Sequence, residues 1–482
     1  MLAAAHTAAP VGPARAQAPA RLADASAPTT ARERVGAALD SVAAGSVGRG
    51  RAAGFVVLAV RGRDTLAARA YGLADVENGA PLGVEHVFQF ASITKQFTAA
   101  AVLTLVDAGR VALDTPVARY LPEDAAARAV LRGRPVTVRQ LLGHTSGVPD
   151  YAESPRLGAV SRLDLPSDSL LAAARDMPFY FAPGDQMRYS NTNYALLGRL
   201  IEGVSGEPYA AYVEAHVLRP AGATHAHFCN PEALVPHLAR GYAMGDSGLR
   251  PAAYISPRLP WAAGGFCGTA GDLTAWNVAV HAARGGRVLS PAAYAELTRP
   301  GVVRGGRPTR YGLGVMLSDL AGRRAVAHGG DINGFTTYTA YLPDDSVSVT
   351  VLVNTQGPTR TVPIAAAVVE AALGPPAAPR TPGATPPAAV FDAAAGRYGD
   401  DVVVAAAADS AGRRVLRLTR GPLPPVLLRP AARGPDGWTF TDGVARYTFE
   451  PSPASAPAGA RAGSPAVWAD WGVALQHWRR VP

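Results

Sequence analysis

Apolar and polar positions fall into three different rhythms along the chain. Phe55 to Val60 and Thr65 to Tyr71 are apolar runs either side of Arg61-Gly62-Arg63-Asp64, which predicts a β-hairpin. From residue 91 to Asp107 the chain is Ala-rich and apolar and stops before Gly109, which predicts a buried helix with a glycine end. Further helices are expected over 31–43, 136–142, 166–177, from Tyr194 through Ile201, over 271–283 and over 362–372. After Tyr311 the pattern turns to short β-type runs, at 311–317, 325–328, 336–341 and 347–353.

Strands near both ends of this region, with helices between them, predict one sheet with an inserted helical subdomain and a cleft where the two meet. Residues 374–388 have the Pro/Ala content of a linker. Beyond them 402–407, 414–419, 425–428, 437–441, 445–449 and 467–471 read as a small all-β domain, with 451–465 as a low-complexity excursion. The division expected is a leader over 1–30, a main domain over 31–373, the linker, and the β domain over 389–482.

Composition narrows the class. The chain has 482 residues, 48% hydrophobic and 17% charged, and mean hydropathy near zero, as a globular protein should. No apolar run is long enough to predict a transmembrane helix. A net charge of +9 invites a nucleic-acid partner, but the arginines are scattered and no nucleic-acid motif accompanies them. In the leader, Ala14-Arg15-Ala16 fits a signal-cleavage pattern, while His6, Thr7 and Pro10 interrupt the apolar segment a signal needs. A periplasmic or secreted protein is the expectation. Cys229 and Cys267 then form either one disulfide or two buried thiols.

The chemistry centres on Ser92-Ile93-Thr94-Lys95. Residues three apart on a helix share a face, and a serine hydroxyl needs a base within hydrogen-bond reach to become a nucleophile. Lysine serves as that base once burial has lowered its pKa. Lys95 is the only lysine in the chain; the other 45 of the 46 basic residues are arginine, which cannot give up its proton. Tyr189 and Asn191 offer a phenol and an amide, His328-Gly329-Gly330 ends an expected strand, and Gly143-His144-Thr145-Ser146-Gly147 is a loop with at most a supporting part. No Gly-x-Ser-x-Gly pentapeptide supports an α/β-hydrolase. His225-Ala226-His227 lacks further ligands at metal spacing and reads as two surface histidines.

As a set, Ser92-x-x-Lys95, Tyr189-x-Asn191 and His328-x-Gly330 resemble the motifs of the class C β-lactamase-like serine hydrolases, which include D,D-carboxypeptidases, D-aminopeptidases and esterases. Leu141 to Gly147, Pro183-Gly184, Gly264-Gly265 and Thr269-Ala270-x-Asp272-Leu273 follow in the family's order, over about 31–373. The resemblance implies an α/β fold, an antiparallel sheet flanked by helices, with a small C-terminal β-barrel-like domain as in several relatives. It implies acylation of Ser92, proton traffic shared by Lys95 and Tyr189, and substrate contacts from Asn191, His328, Gly329, Gly330 and Asp331. The oxyanion would lie between the N–H groups of Ser92 and Asp331. A small ester, amide or peptide is the implied partner, with no cofactor or metal. Where class C β-lactamases carry lysine this chain has His328, so an unperturbed imidazole, partly charged at pH 7, is expected to face the substrate. The alternatives in view are β-lactamase or D,D-carboxypeptidase activity, and a non-catalytic penicillin-binding-like receptor.

Overall fold

The computed structural model describes residues 30–375 except 123–124, 159–160, 358 and 360, and then 386–398, 401–420, 425–434, 437–441, 446–449, 466–470 and 474–481. The expected leader up to residue 29, the 451–465 excursion and most of the expected linker lie outside the described residues.

The hairpin forms where the two apolar runs placed it. Strands Gly54–Arg61 and Asp64–Asp75 pair with Arg61 opposite Asp64, so Gly62-Arg63 is the two-residue turn, and Gly62 takes φ +58°. Gly54–Arg61 also pairs with Val347–Val353, which joins the two ends of the domain in one sheet. That sheet has seven antiparallel strands in the order Met316–Leu320, Arg323–Ile332, Phe335–Leu342, Val347–Val353, Gly54–Arg61, Asp64–Asp75 and Ala80–Pro81. Alternate residues choose opposite sides. Phe55, Val57 and Ala59 pack under the terminal helices Ala31–Ser46 and Thr361–Leu373, while Val56 faces the helical subdomain.

Helix Thr94–Asp107 runs through the middle of that subdomain with almost every residue from Thr94 to Leu103 buried. Its stretch from Ala99 to Leu103 is apolar on every side and offers no solvent face. The helix Asn191–Ser205 packs against it.

Three expectations shift. Of 311–317 only the end is strand, which runs Met316–Leu320, because Gly314 at φ +76° breaks the extension. The helix after Gly271 is α-helical only over Ala270–Trp276 and continues as a π-helical turn, Asn277–Ala282. The C-terminal region gains strands Gly396–Tyr398 and Ala474–Val481, which pair with each other. That pairing closes eight antiparallel strands into a ring. Its core is simple. Val402 and Val404 point in and Val403 out, and Phe391, Phe440 and Phe449 fill the centre. The ring meets the main domain at a short strand seam, with Leu475 opposite Met187 and Ala474 opposite Arg188, and through an ion pair from Arg446 to Asp319. Cys229 and Cys267 are bonded as a disulfide, with Cα atoms 5.2 Å apart.

Candidate active site

Strand Phe88–Gln89 delivers the chain to Ser92. The Phe90 N–H donates to the Phe266 carbonyl at 2.8 Å, and the next residue, Ala91, takes φ +49°. A non-glycine residue in the left-handed region is uncommon, and such positions concentrate where a site is held in a costly shape. Here the bend starts the 3₁₀ turn Ala91–Ile93, which carries Ser92 half-buried, and the helix begins at Thr94.

One turn on, Lys95 is fully buried, and its Nζ donates to Asn191 Oδ1 at 2.7 Å, to the Ala263 carbonyl at 2.7 Å and to Ser92 Oγ at 3.2 Å. Nζ also lies 4.6 Å above the centre of the Tyr189 ring. Burial pushes its pKa down to about 7, against a pull upward from Asp150. A neutral amine has two N–H groups and one lone pair. Asn191 and Ala263 take the two N–H groups at the shorter distances, so the lone pair is left to face Ser92 Oγ. The lysine is poised to accept the serine proton.

The strand Met187–Arg188 leads to Tyr189, whose ring lies 4.3 Å from that of His144 and whose hydroxyl is buried. Burial raises this phenol well above its ordinary pKa; Ser92 beside it opposes the rise, although no hydrogen bond of good geometry reaches the hydroxyl. Tyr189 is therefore protonated and has a proton to give. His144 is itself buried and held far below its ordinary pKa by desolvation and then by Lys95. Its Nδ1 accepts the Ser190 N–H at 3.2 Å, so the loop noted for at most a supporting part holds the tyrosine segment in place.

His328 is not the unperturbed, partly charged imidazole that the sequence suggested. It is buried, with Nε2 2.8 Å from the Tyr311 hydroxyl and Nδ1 2.6 Å from the Gly329 carbonyl. Desolvation, and then the nearby Lys95, push it down to about 3. It is neutral across the working range. The rest of its motif lies on a strand edge. Met316–Leu320 pairs with Arg323–Ile332 only as far as Ala327, so the segment from His328 onward has no partner on that side and runs beside the Ser92 turn. A side chain at Gly330 would come within 2.2 Å of the Phe90 carbonyl, so only glycine allows this approach. Gly329 is half-buried there and Asp331 exposed.

Sequence reasoning missed Asp150. It is buried, accepts from Asn191 Nδ2 at 3.0 Å, and so fixes the amide with its oxygen toward Lys95. Burial raises its carboxyl pKa, and Lys95 opposes that rise. Its only signal was position, directly after the Gly143–Gly147 loop. The Ala263 carbonyl was also invisible, since backbone acceptors leave no residue type behind. Among the described residues, one cluster has ligand atoms close enough for a metal, Glu85, His86 and His237, and it lies outside this network.

The chain is similar to several known proteins. The esterase EstB of Burkholderia gladioli is 37% identical over 205 residues, 41% of this chain and 52% of its own length. A D-aminopeptidase of Brucella anthropi is 28% identical over 309 residues, 63% of this chain and 56% of its own. The chain thus spans little more than half the length of these curated relatives. The octameric penicillin-binding protein homologue of Pyrococcus abyssi superposes with a TM-score of 0.61 at 25% identity, covering 92% of this chain and 99% of that one. With its serine, lysine, tyrosine and asparagine gathered at one buried corner and the Beta-lactamase family profile matching residues 39–373, the chain belongs to the beta-lactamase family.

Proposed function

We propose that the protein is a serine hydrolase that cleaves small neutral esters or D-amino amides through an acyl-enzyme on Ser92. The observation that carries this reading is the geometry at Lys95, an amine near neutrality whose two N–H groups are occupied and whose lone pair is left for Ser92 Oγ. Lys95 takes the hydroxyl proton as Oγ bonds to the acyl carbon. The resulting oxyanion lies between the Ser92 N–H and the open strand edge at Asp331. Collapse breaks the bond to the leaving group, which receives a proton from Tyr189, and the Lys95 ammonium restores the phenol. Water then repeats the sequence on the acyl-enzyme and frees Ser92. Gly329 and Gly330 let the substrate lie along the strand, Asn191 orients it together with Lys95, and His328 holds Tyr311.

The names of the relatives, an esterase and a D-aminopeptidase, support the substrate class. A neutral His328 supports it further, because it offers no cation to the carboxylate of a β-lactam. An oxidising compartment, periplasmic or extracellular, belongs to the reading and rests on the disulfide. The test is a fluorophosphonate label located by mass spectrometry, run beside a panel of p-nitrophenyl esters, D-amino amides and a chromogenic cephalosporin. The label should map to Ser92, and esters or amides should outrun the cephalosporin. Labelling that persists in Ser92→Ala sinks the nucleophile; a parent that prefers the cephalosporin sinks the substrate class.

A further inference from the structure

Away from Ser92, four of the chain's ten histidines gather around one small region: His86, His225, His227 and His237. His225, His227 and His237 line a cavity of about 590 Å³ together with Glu85, Thr269 and Asp272. Glu85, His86 and His237 each offer one ligand atom, and these atoms lie within 4.8 Å of one another. We propose that Glu85, His86 and His237 bind a divalent transition cation of the zinc class, with the cavity supplying the open coordination position.

The donors suit that ion. Two imidazoles and one carboxylate are the three-ligand set that leaves a fourth tetrahedral position free for water or another donor. Glu85 and His237 are exposed, so their side chains have the freedom to close on an ion at roughly 2.0–2.2 Å. His86 is buried and fixed. Its Nδ1 accepts the Gly83 N–H at 2.9 Å or, as the other tautomer, donates to the Gly83 carbonyl at 3.2 Å. Nδ1 also lies 3.5 Å from Glu85 Oε1, so an ion shared with that carboxylate would either take Nδ1 from the Gly83 N–H or be held at Nε2 with Nδ1 turned to the Gly83 carbonyl, a backbone partner of the kind that commonly holds metal-bound imidazoles.

Two features of the backbone lie beside these side chains. The Glu85 carboxylate folds back over Gly83, and a Cβ at Gly83 would sit 2.1 Å from Glu85 Oε1. His237 takes φ +57°, a conformation non-glycine residues avoid and one that concentrates at ligand sites. It is held there by strand-like bonds across the two segments, Val87 N–H to the His237 carbonyl at 2.9 Å and Ala239 N–H to the Val87 carbonyl at 3.0 Å. The Cys229–Cys267 disulfide packs on Val87 and Val235 and ties down the loop that carries His237. The ion would therefore clamp this loop to the segment that runs on into Phe88–Gln89 and Ser92.

The experiment uses the full, tag-free chain with its disulfide intact, stripped with EDTA and titrated with zinc chloride by calorimetry at about pH 7.5. One ion per chain is expected, with a rise of a few degrees in Tm when zinc is in large excess over Kd. Glu85→Gln and His237→Ala should each weaken binding about tenfold or more, and Gly83→Ala should weaken it by displacing the carboxylate without removing a ligand. Ser92→Ala should bind as the parent does, which keeps this site distinct from the hydrolytic one. No uptake by the parent overturns the proposal. So does parent-like affinity in a folded His237→Ala, or loss of binding in His225→Ala and His227→Ala with His237→Ala unaffected.

Discussion

The corner around Ser92 and the C-terminal ring of strands are both well buried, yet they are built on opposite rules. The ring follows the alternation of its sequence, apolar side chains inward, with Phe391, Phe440 and Phe449 in edge contact at its centre. The Ser92 corner buries Lys95, Asp150 and His144, each with its pKa displaced by desolvation, beside a left-handed Ala91. A core of the first kind holds a shape. One of the second kind lowers stability locally, since an ammonium shifted from its ordinary pKa to about 7 is disfavoured in the folded chain. Substitutions should therefore divide, with activity lost at the corner and stability lost in the ring.

The largest effect expected is at Lys95. Lys95→Arg keeps a cation and removes the lone pair, so kcat on an ester should fall roughly a thousandfold or more, about as far as in Lys95→Ala. Steady-state kinetics on folded protein decides this. Retention of most activity by the arginine variant would mean that the corner needs charge and not a base, and the contrast with the ring would lose its chemical half.

Next comes Phe440, fully buried between Phe391 and Phe449. Phe440→Ala should cost the ring about 3–5 kcal/mol, visible in calorimetry as an earlier transition. Below that transition kcat/KM should stay within about twofold of the parent. The seam makes this a demanding test, because Leu475 packs with Met187 and Tyr311 just before Tyr189. A fall in kcat/KM while the ring is still folded would make it part of the active site.

The same contrast explains what was legible in the sequence. Apolar runs broken by a short polar turn gave the hairpin at Gly62-Arg63, and short β-type runs gave most strands of the ring. It gave no warning of Ala474–Val481, where Gln476, His477, Arg479 and Arg480 obscure any period. The pairing that closes the ring is long-range and has no local signature. At the corner, Ser92 and Lys95 were legible from spacing and from the solitary lysine. Asp150, the Ala263 carbonyl and the burial of His328 were not. Each acts through a tertiary contact, with Asn191, with Lys95 or with Tyr311, and an aspartate after a loop looks the same on a surface as in a core. The resemblance to known hydrolases supplied a role for His328 but not its protonation state, which depends on burial.

The smallest of the three effects is also the one that tests the corner's design most directly. Asp150 does not reach Ser92; it acts on Lys95 through charge and on Asn191 through the 3.0 Å hydrogen bond, which makes it a positioning residue. Lys95 must be neutral to accept a proton, so kcat/KM should climb about tenfold per pH unit below pH 7 and level off above it. His328, neutral above about 3, adds no limb in this range. Asp150 is the group that pulls the Lys95 pKa up, so Asp150→Asn should move the limb to lower pH, by roughly one unit. Its amide oxygen can still accept from Asn191, so the plateau should fall little. Asp150→Ala removes both effects and should lower the plateau as well, because Asn191 is then free to turn its nitrogen toward Lys95. A purely structural aspartate would change the plateau and Tm in both variants and leave the midpoint of the limb where it was. A limb unmoved in Asp150→Asn would therefore separate Lys95 from its one carboxylate neighbour and leave desolvation alone to set its pKa.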